Sequence, residues 1–450
     1  MSTPPSSPSA PSSGARAAQR LRVLFAGICA LILTVGLARF AYTPMLPIMH
    51  REAGLSAVAA GWLATFNYAG YISGAILAAS IGDLRQKFVM YRLGLVLAVL
   101  TTAGLGLTDN VVLWAVLRFV SGLSSAAGLL LASGLALNWL MRNGHRPELG
   151  LHFTGLGLGI VVSGVAVAAM SGSLNWAQQW LGLGVLGLVF FVPAWIWLPR
   201  PAPAKPLQAS HAHAAGAAPA RRWMLLMVAM YFCAGFGYVI SATFIVAILD
   251  KLPFLADKGG WVWVIVGLAA APSSFAWDRI ARARGEIAAL LLAFGLQTVS
   301  IVLPALTANL ALNLLSAVLY GGTFVGIVSL TLTLIGRRFP DNPAKAMARL
   351  TLSYGVSQMA APALAGYIAA STGSYRGALM LTAAVMLLGM ALLWTMLRDA
   401  QPNAASARTY AAVPSSTVAK WRVQPTARRR LRSAWLWHWY LPTSASGNGM

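Results

Sequence analysis

Two arginines, Arg39 and Arg118, lie inside long apolar runs of this 450-residue chain. A guanidinium in hydrocarbon costs ~2.5–3.5 kcal/mol on insertion scales, so each needs a partner or a wet cavity. The ten acidic residues are Glu52, Asp83, Asp109, Glu148, Asp250, Asp257, Asp278, Glu286, Asp341 and Asp399, and none falls in the middle of an apolar run. A membrane-embedded carboxylate that could take up a proton is therefore missing. Two cationic forks stand without an acid at their depth. The chemistry this suits is recognition of an anion, since a charge-assisted bond from Arg to a carboxylate contributes ~1.5–3 kcal/mol.

At helical spacing, Gly36, Arg39, Tyr42 and Thr43 share a face, and Pro44 and Pro47 just beyond should break or bend that helix. Arg118, Ser121, Gly122 and Ser125 form a second polar stripe. Further stripes are Asn67, Gly70, Tyr71 and Gly74, then Tyr238 with Ser241, then Tyr354, Gln358 and Pro362. The candidate binding residues are thus Arg39, Tyr42, Asn67, Tyr71, Arg118, Tyr238 and Gln358. Plainer readings stand beside these: Arg118 bonded to backbone carbonyls, Arg39 snorkelling to a surface, and the stripes as glue between helices. Gly70-x-x-x-Gly74 and Gly155-x-x-x-Gly159 are spacings that allow helices to touch.

Other groups carry less. Cys29 and Cys233 sit in apolar runs with neither metal spacing nor a disulfide framework. His211-x-His213 lies in a flexible stretch and is not expected to hold a metal; His152 reads as a structural polar contact before a proton relay. The glycine-rich "GLGLGIVVSG" follows no strand, so a nucleotide-binding reading fails. No metal, cofactor or catalytic residue is expected.

The elements that position these residues follow from composition. The chain is 58% hydrophobic and 10% charged, with a mean hydropathy of +0.70. An ordinary soluble domain carries about 25% charged residues, so a bilayer is the expected solvent. Apolar runs long enough to span occur at 22–48, 57–81, 89–108, 111–140, 150–171 and 176–198, then at 223–249, 260–280, 287–307, 309–336, 348–370 and 376–397. The expected fold is an all-α membrane protein of twelve transmembrane helices in two six-helix bundles, 22–198 and 223–398. A Pro/Ala-rich linker, 199–222, joins them. Residues 1–21 read as a disordered leader and 399–450 as a basic, Trp-rich tail.

A net charge of +23 would suggest nucleic acid on a soluble protein. Here its distribution excludes that partner. Of 33 Lys and Arg, 27 fall in every second connection or a terminus and only four on the opposite side. The positive-inside bias then puts both termini in the cytoplasm.

Two loops at matching places in the halves carry an Asp at a helix end followed by cations: "SIGDLRQK" and "SFAWDRIARAR". They resemble the major facilitator superfamily loop Gly-x-x-x-Asp-Arg-x-Gly-Arg-Arg. The second copy keeps Asp278, Arg279 and Arg282, with Ser274 and Ala281 in place of glycines. The first keeps Asp83 and Lys87, with Ala79, Leu84 and Gln86 departing. "RFVSGLSSA" is similar to that superfamily's fourth-helix pattern at Arg118, Gly122 and Ala126. "GLARFAYTPMLPIM", "AGWLATFNYAGYISGA" and "GFGYVISATF" resemble its YbfB/YjiJ-like subgroup.

The resemblance implies the major facilitator fold, with Asp83, Lys87, Asp278, Arg279 and Arg282 as gating-loop residues. The expected protein is a monomeric secondary active transporter of the cell inner membrane. It would carry a small organic solute, with an anionic group facing Arg39, by alternating access between lipid-embedded bundles. A proton-driven drug or metabolite exporter is the nearest alternative, with Asp83, Asp250 or His152 carrying the coupling proton. From other classes, a non-transporting receptor would need a signalling domain, and a membrane-embedded enzyme would need converging His, Asp, Glu or Ser groups.

Overall fold

The computed structural model describes residues 13–145, 149–201, 221–339 and 343–400, and no strand occurs among them. The first rod is composite: α1 (Ser13–Leu31) runs into a π-helical segment (Ile32–Phe40), and α2 (Tyr42–Glu52) continues it past Ala41. Next come α3 (Ala57–Ser80) and α4 (Leu84–Gly104). The fourth rod joins α5 (Val111–Ala126), a second π segment (Ala127–Ala132) and α6 (Ser133–Arg142). The first half ends with α7 (Leu149–Met170) and α8 (Trp176–Trp197).

The second half opens with α9 (Arg221–Leu249). Its next rod is split into α10 (Gly259–Ala270) and α11 (Ser273–Arg284), because Pro272 cannot continue the helical hydrogen-bond ladder. Then come α12 (Glu286–Leu306), α13 (Leu310–Arg338), α14 (Pro343–Thr372) and α15 (Arg376–Ala400). Among the described residues twelve rods thus stand where twelve apolar runs predicted them, six in each half.

Polar residues just ahead of the runs start the rods. Ser56 Oγ accepts from Ala59 N at 3.1 Å, Asn110 Oδ1 from Val112 N at 2.8 Å, and Asn175 builds a reciprocal box with Gln178. Each satisfies a backbone N–H that a helix start leaves orphaned. Asp83 does the same for α4, accepting from Arg85 N at 3.0 Å, so this rod begins at Leu84 rather than at the expected 89. The expected leader 1–21 is also too long. α1 is already helical at Ser13, where Ala, Arg, Gln and Leu are good helix formers. Residues 1–12, 202–220 and 401–450 lie outside the described residues, and with them nearly all of the expected linker and tail.

Ten rods are long and apolar enough to cross a membrane. The two more polar ones are α3 and α14, which pack against each other across the halves. Asn67, Tyr68 and Tyr71 of α3 and Ser357 and Gln358 of α14 are buried within the protein. The halves also meet along α7 with α10 and along α2 with α9. Within the first half, Gly36 and Gly159 bring the π segment and α7 into backbone contact; a Cβ on either would strike the other's main chain.

Candidate functional site

The π segment sets the site. Ala41 N bonds Gly36 O at 2.9 Å, a five-residue step in place of the usual four. This widened turn rotates the residues beyond it, so the expected single stripe of Gly36, Arg39, Tyr42 and Thr43 is dispersed. Gly36 faces α7, Tyr42 donates its hydroxyl to Ala60 O of α3 at 3.0 Å, and Thr43 donates to Ala242 O of α9. The proline expectation is corrected too. The irregularity lies before Pro44, and α2 runs unbroken through Pro47.

Pro44 brings no N–H, so it cannot satisfy a carbonyl of the preceding turn, whether Phe40 in α register or Arg39 in π register. Arg118 supplies donors there. Its Nη1 reaches Ala38 O at 3.2 Å and Arg39 O at 3.3 Å, while its guanidinium carbon lies 4.3 Å from the Tyr42 ring centroid. Arg118 is 2% exposed. It therefore ties α5 to the break in the first rod.

Arg39 closes the π segment and is 6% exposed. Its guanidinium carbon sits 4.5 Å from the ring centroid of Tyr68 and 4.7 Å from that of Tyr71, both on α3, and 5.5 Å from Phe40. Aromatic π faces attract a cation by their quadrupole without neutralising it. Among the described residues no carboxylate pairs with either arginine, and both Nε–H groups lack an acceptor.

The facing wall comes from the second half. Tyr238 of α9 meets Tyr68 edge-on, with 6.5 Å between centroids and 86° between planes. Behind it Tyr320, Phe324 and Tyr354 lie nearly parallel to Tyr238, at interplanar angles of 21°, 29° and 25°. Tyr320 Oη donates to Tyr238 O at 3.2 Å, and Tyr231 packs 4.5 Å from Tyr354. Gln358, one turn along α14 from Tyr354, is buried with Oε1 unbonded.

Arg39, Tyr42, Tyr71, Arg118 and Tyr238 are thus gathered in one neighbourhood. Asn67 belongs to a helix seam instead, its Nδ2 bonding Arg118 O at 2.9 Å and Ser121 Oγ at 2.7 Å. Tyr68, Tyr231, Tyr320 and Phe324 were missed as site residues. The signal for the last two was the four-residue step between aromatics on one helix face, the spacing at which side chains meet.

The loop residues stay within their own halves. Asp83 caps α4, Asp278 pairs with Arg282 on the same helix, and Lys87 and Arg279 form no ion pair among the described residues. At the opposite end, Arg51 crosses between halves to Asp250 at 2.6 Å and Asp257 at 2.8 Å. These residues rim a cavity of about 530 Å³ with Glu52, Asn175 and Gln179. His152 Nε2 lies 2.7 Å from Ser133 Oγ inside the first half, a packing contact.

Comparison with solved structures gives the same architecture. The nucleoside transporter NupG superposes in a mutant form with a TM-score of 0.70 at 12% identity, covering 84% of this chain and 99% of that one. A bacterial homologue of the human lysosomal transporter Spinster, inward-facing and occupied, gives 0.60 at 13%, covering 86% and 98%. These likenesses concern the fold. No curated protein matches the chain. The family model described as uncharacterised MFS-type transporter YbfB matches residues 31–394, and the chain, an integral membrane transport protein, belongs to that family.

Proposed function

We propose that this protein is a secondary active transporter that moves a small organic anion across the inner membrane by alternating access. The observation that carries this reading is the pair of buried guanidiniums, Arg39 and Arg118, which no carboxylate among the described residues pairs. Arg118 is held by backbone oxygens and Tyr42, which leaves Arg39, set among tyrosine rings and hydrogen-bonded to Tyr68, as the contact for the solute. An anion there gains a charge-assisted bond worth ~1.5–3 kcal/mol and relieves an unneutralised charge. Tyr71 lies against Arg39, Tyr238 follows beyond Tyr68, and Tyr42 lies on Arg118. Gln358 stands one turn from Tyr354 of the facing half, while Asn67 holds the seam with α5.

Charge bias supports cytoplasmic termini and an outward-facing Arg51 end. On that assignment the structure is latched on the outer side by Arg51, Asp250 and Asp257. The Asp83 and Asp278 loops, paired within their own halves, are free to engage across the halves in the other state.

The test is counterflow in proteoliposomes against a panel of organic anions and their neutral analogues. Arg39→Gln should abolish exchange of the anion that the native protein carries and leave the protein folded. Unchanged exchange of every transported anion in that variant would sink the reading.

A further inference from the structure

We infer that the solute is a planar aromatic anion, its charge on Arg39 and its ring against the tyrosine panel of the second half. This rests on the anion reading above and adds the ring. Four side chains from three helices, Tyr238, Tyr320, Phe324 and Tyr354, present nearly parallel planes, with Tyr320 and Phe324 only 16° apart. The rings align because they stack on one another in offset pairs. An aligned wall offers π faces at one orientation, which suits a flat guest in offset stacking.

The position next to Arg39 adds to this. Tyr68 lies 4.5 Å from the guanidinium carbon of Arg39 and meets Tyr238 in a T-shaped contact, 6.5 Å between centroids. That ring contact joins the halves. A guest that parts it while keeping its carboxylate on Arg39 would lay its ring on Tyr238. It would then bridge the two bundles and bind the occluded state better than either open one, which is the differential affinity that transport requires. Phe40, next to Arg39, meets Trp263 at 6.2 Å, and the buried indole N–H of Trp263 has no acceptor. The neighbourhood is thus rich in unused donors, as an anion's oxygens would need.

Three probes of similar size separate ring from charge: benzoate, cyclohexanecarboxylate and benzamide, each titrated into purified protein in nanodiscs by tryptophan fluorescence. Benzoate should bind about tenfold more tightly than the saturated acid, the scale of an aromatic stacking increment. Benzamide should bind more weakly still. Tyr238→Leu should bring benzoate down to the level of cyclohexanecarboxylate, and Tyr238→Phe should keep the preference for benzoate over the saturated acid. Phe324→Leu repeats the test if Tyr238→Leu does not fold. Equal binding of the two acids overturns the aromatic assignment and leaves the anion reading standing. Equal binding of benzamide and benzoate overturns both, as does silence from all three.

Discussion

Arg51 Nη1 stands 2.6 Å from Asp250 Oδ2, joining the end of α2 in one half to the end of α9 in the other. The same guanidinium holds Asp257 at 2.8 Å, and Asp257 N in turn bonds Asp250 Oδ1 at 3.0 Å. Asp257 is the one non-glycine residue of positive φ among the described residues, at 63°, so the loop is bent to return its carboxylate to Arg51. Parting the halves at this end requires both Arg51 bonds to break.

Arg51→Gln should therefore shift the protein toward states open at that end. Arg51 is 43% exposed, so the pair is screened and is worth ~0–1 kcal/mol, a population shift of about fivefold at most. The readout is the rate at which an impermeant maleimide modifies Thr43→Cys, in a background with Cys29 and Cys233 replaced by Ser. Arg51→Gln, which releases both Asp250 and Asp257, should show the larger rise and Asp250→Asn a smaller one. Adding Asp250→Asn to Arg51→Gln should give no further rise, and salt should narrow the difference. An unchanged rate in both removes the latch.

Asp83 tests what the loop resemblance implies. Here it serves as a helix cap, and losing a cap costs ~1 kcal/mol. Asp83→Ala should lower the melting temperature while Asp83→Ser, which still caps, should not. A gate needs the charge as well as the cap. The Ser variant should then be stable but slow in transport, and full activity in it would reduce Asp83 to a structural cap.

Arg118→Lys should be costly although it keeps the charge. A lysine ammonium lacks the flat guanidinium that lies on the Tyr42 ring while its Nη1 reaches Ala38 O and Arg39 O. The expected loss is ~1–3 kcal/mol of thermal stability, accompanied by weaker anion binding as the first rod loses its tie. A Lys variant that melts and binds like the native protein would mean the carbonyl contacts contribute nothing.

The rods themselves were legible because a bilayer imposes a length and an apolar content that few other structures share. Arg39 and Arg118 were legible for the same reason: charges in hydrocarbon stand out. What did not show was the register after Gly36. Face assignments assumed 3.6 residues per turn, and the π segment Ile32–Phe40 adds a residue to the turn, sending Gly36, Tyr42 and Thr43 to three different neighbours. The seam partners of Asn67 were not legible, because polarity alone does not say which neighbour a side-chain amide will bond. The tyrosine panel was obscured because its rings come from α9, α13 and α14, which are brought together only by packing.

Pro44 is the residue that makes this register consequential. Replacing it by Ala restores an N–H able to bond the carbonyl of Phe40 or Arg39, so the helix can close its own turn and compete with Arg118 for those oxygens. Arg118→Lys should then cost less in a Pro44→Ala background than in the native one. A double-mutant cycle on thermal stability should report a coupling of ~0.5–3 kcal/mol, the range for residues that share a partner. Strict additivity would show that the guanidinium is not filling the gap the proline leaves. Arg118 would then need another account, such as direct contact with the solute, and anion binding to the Arg118→Lys protein would be the measurement to make.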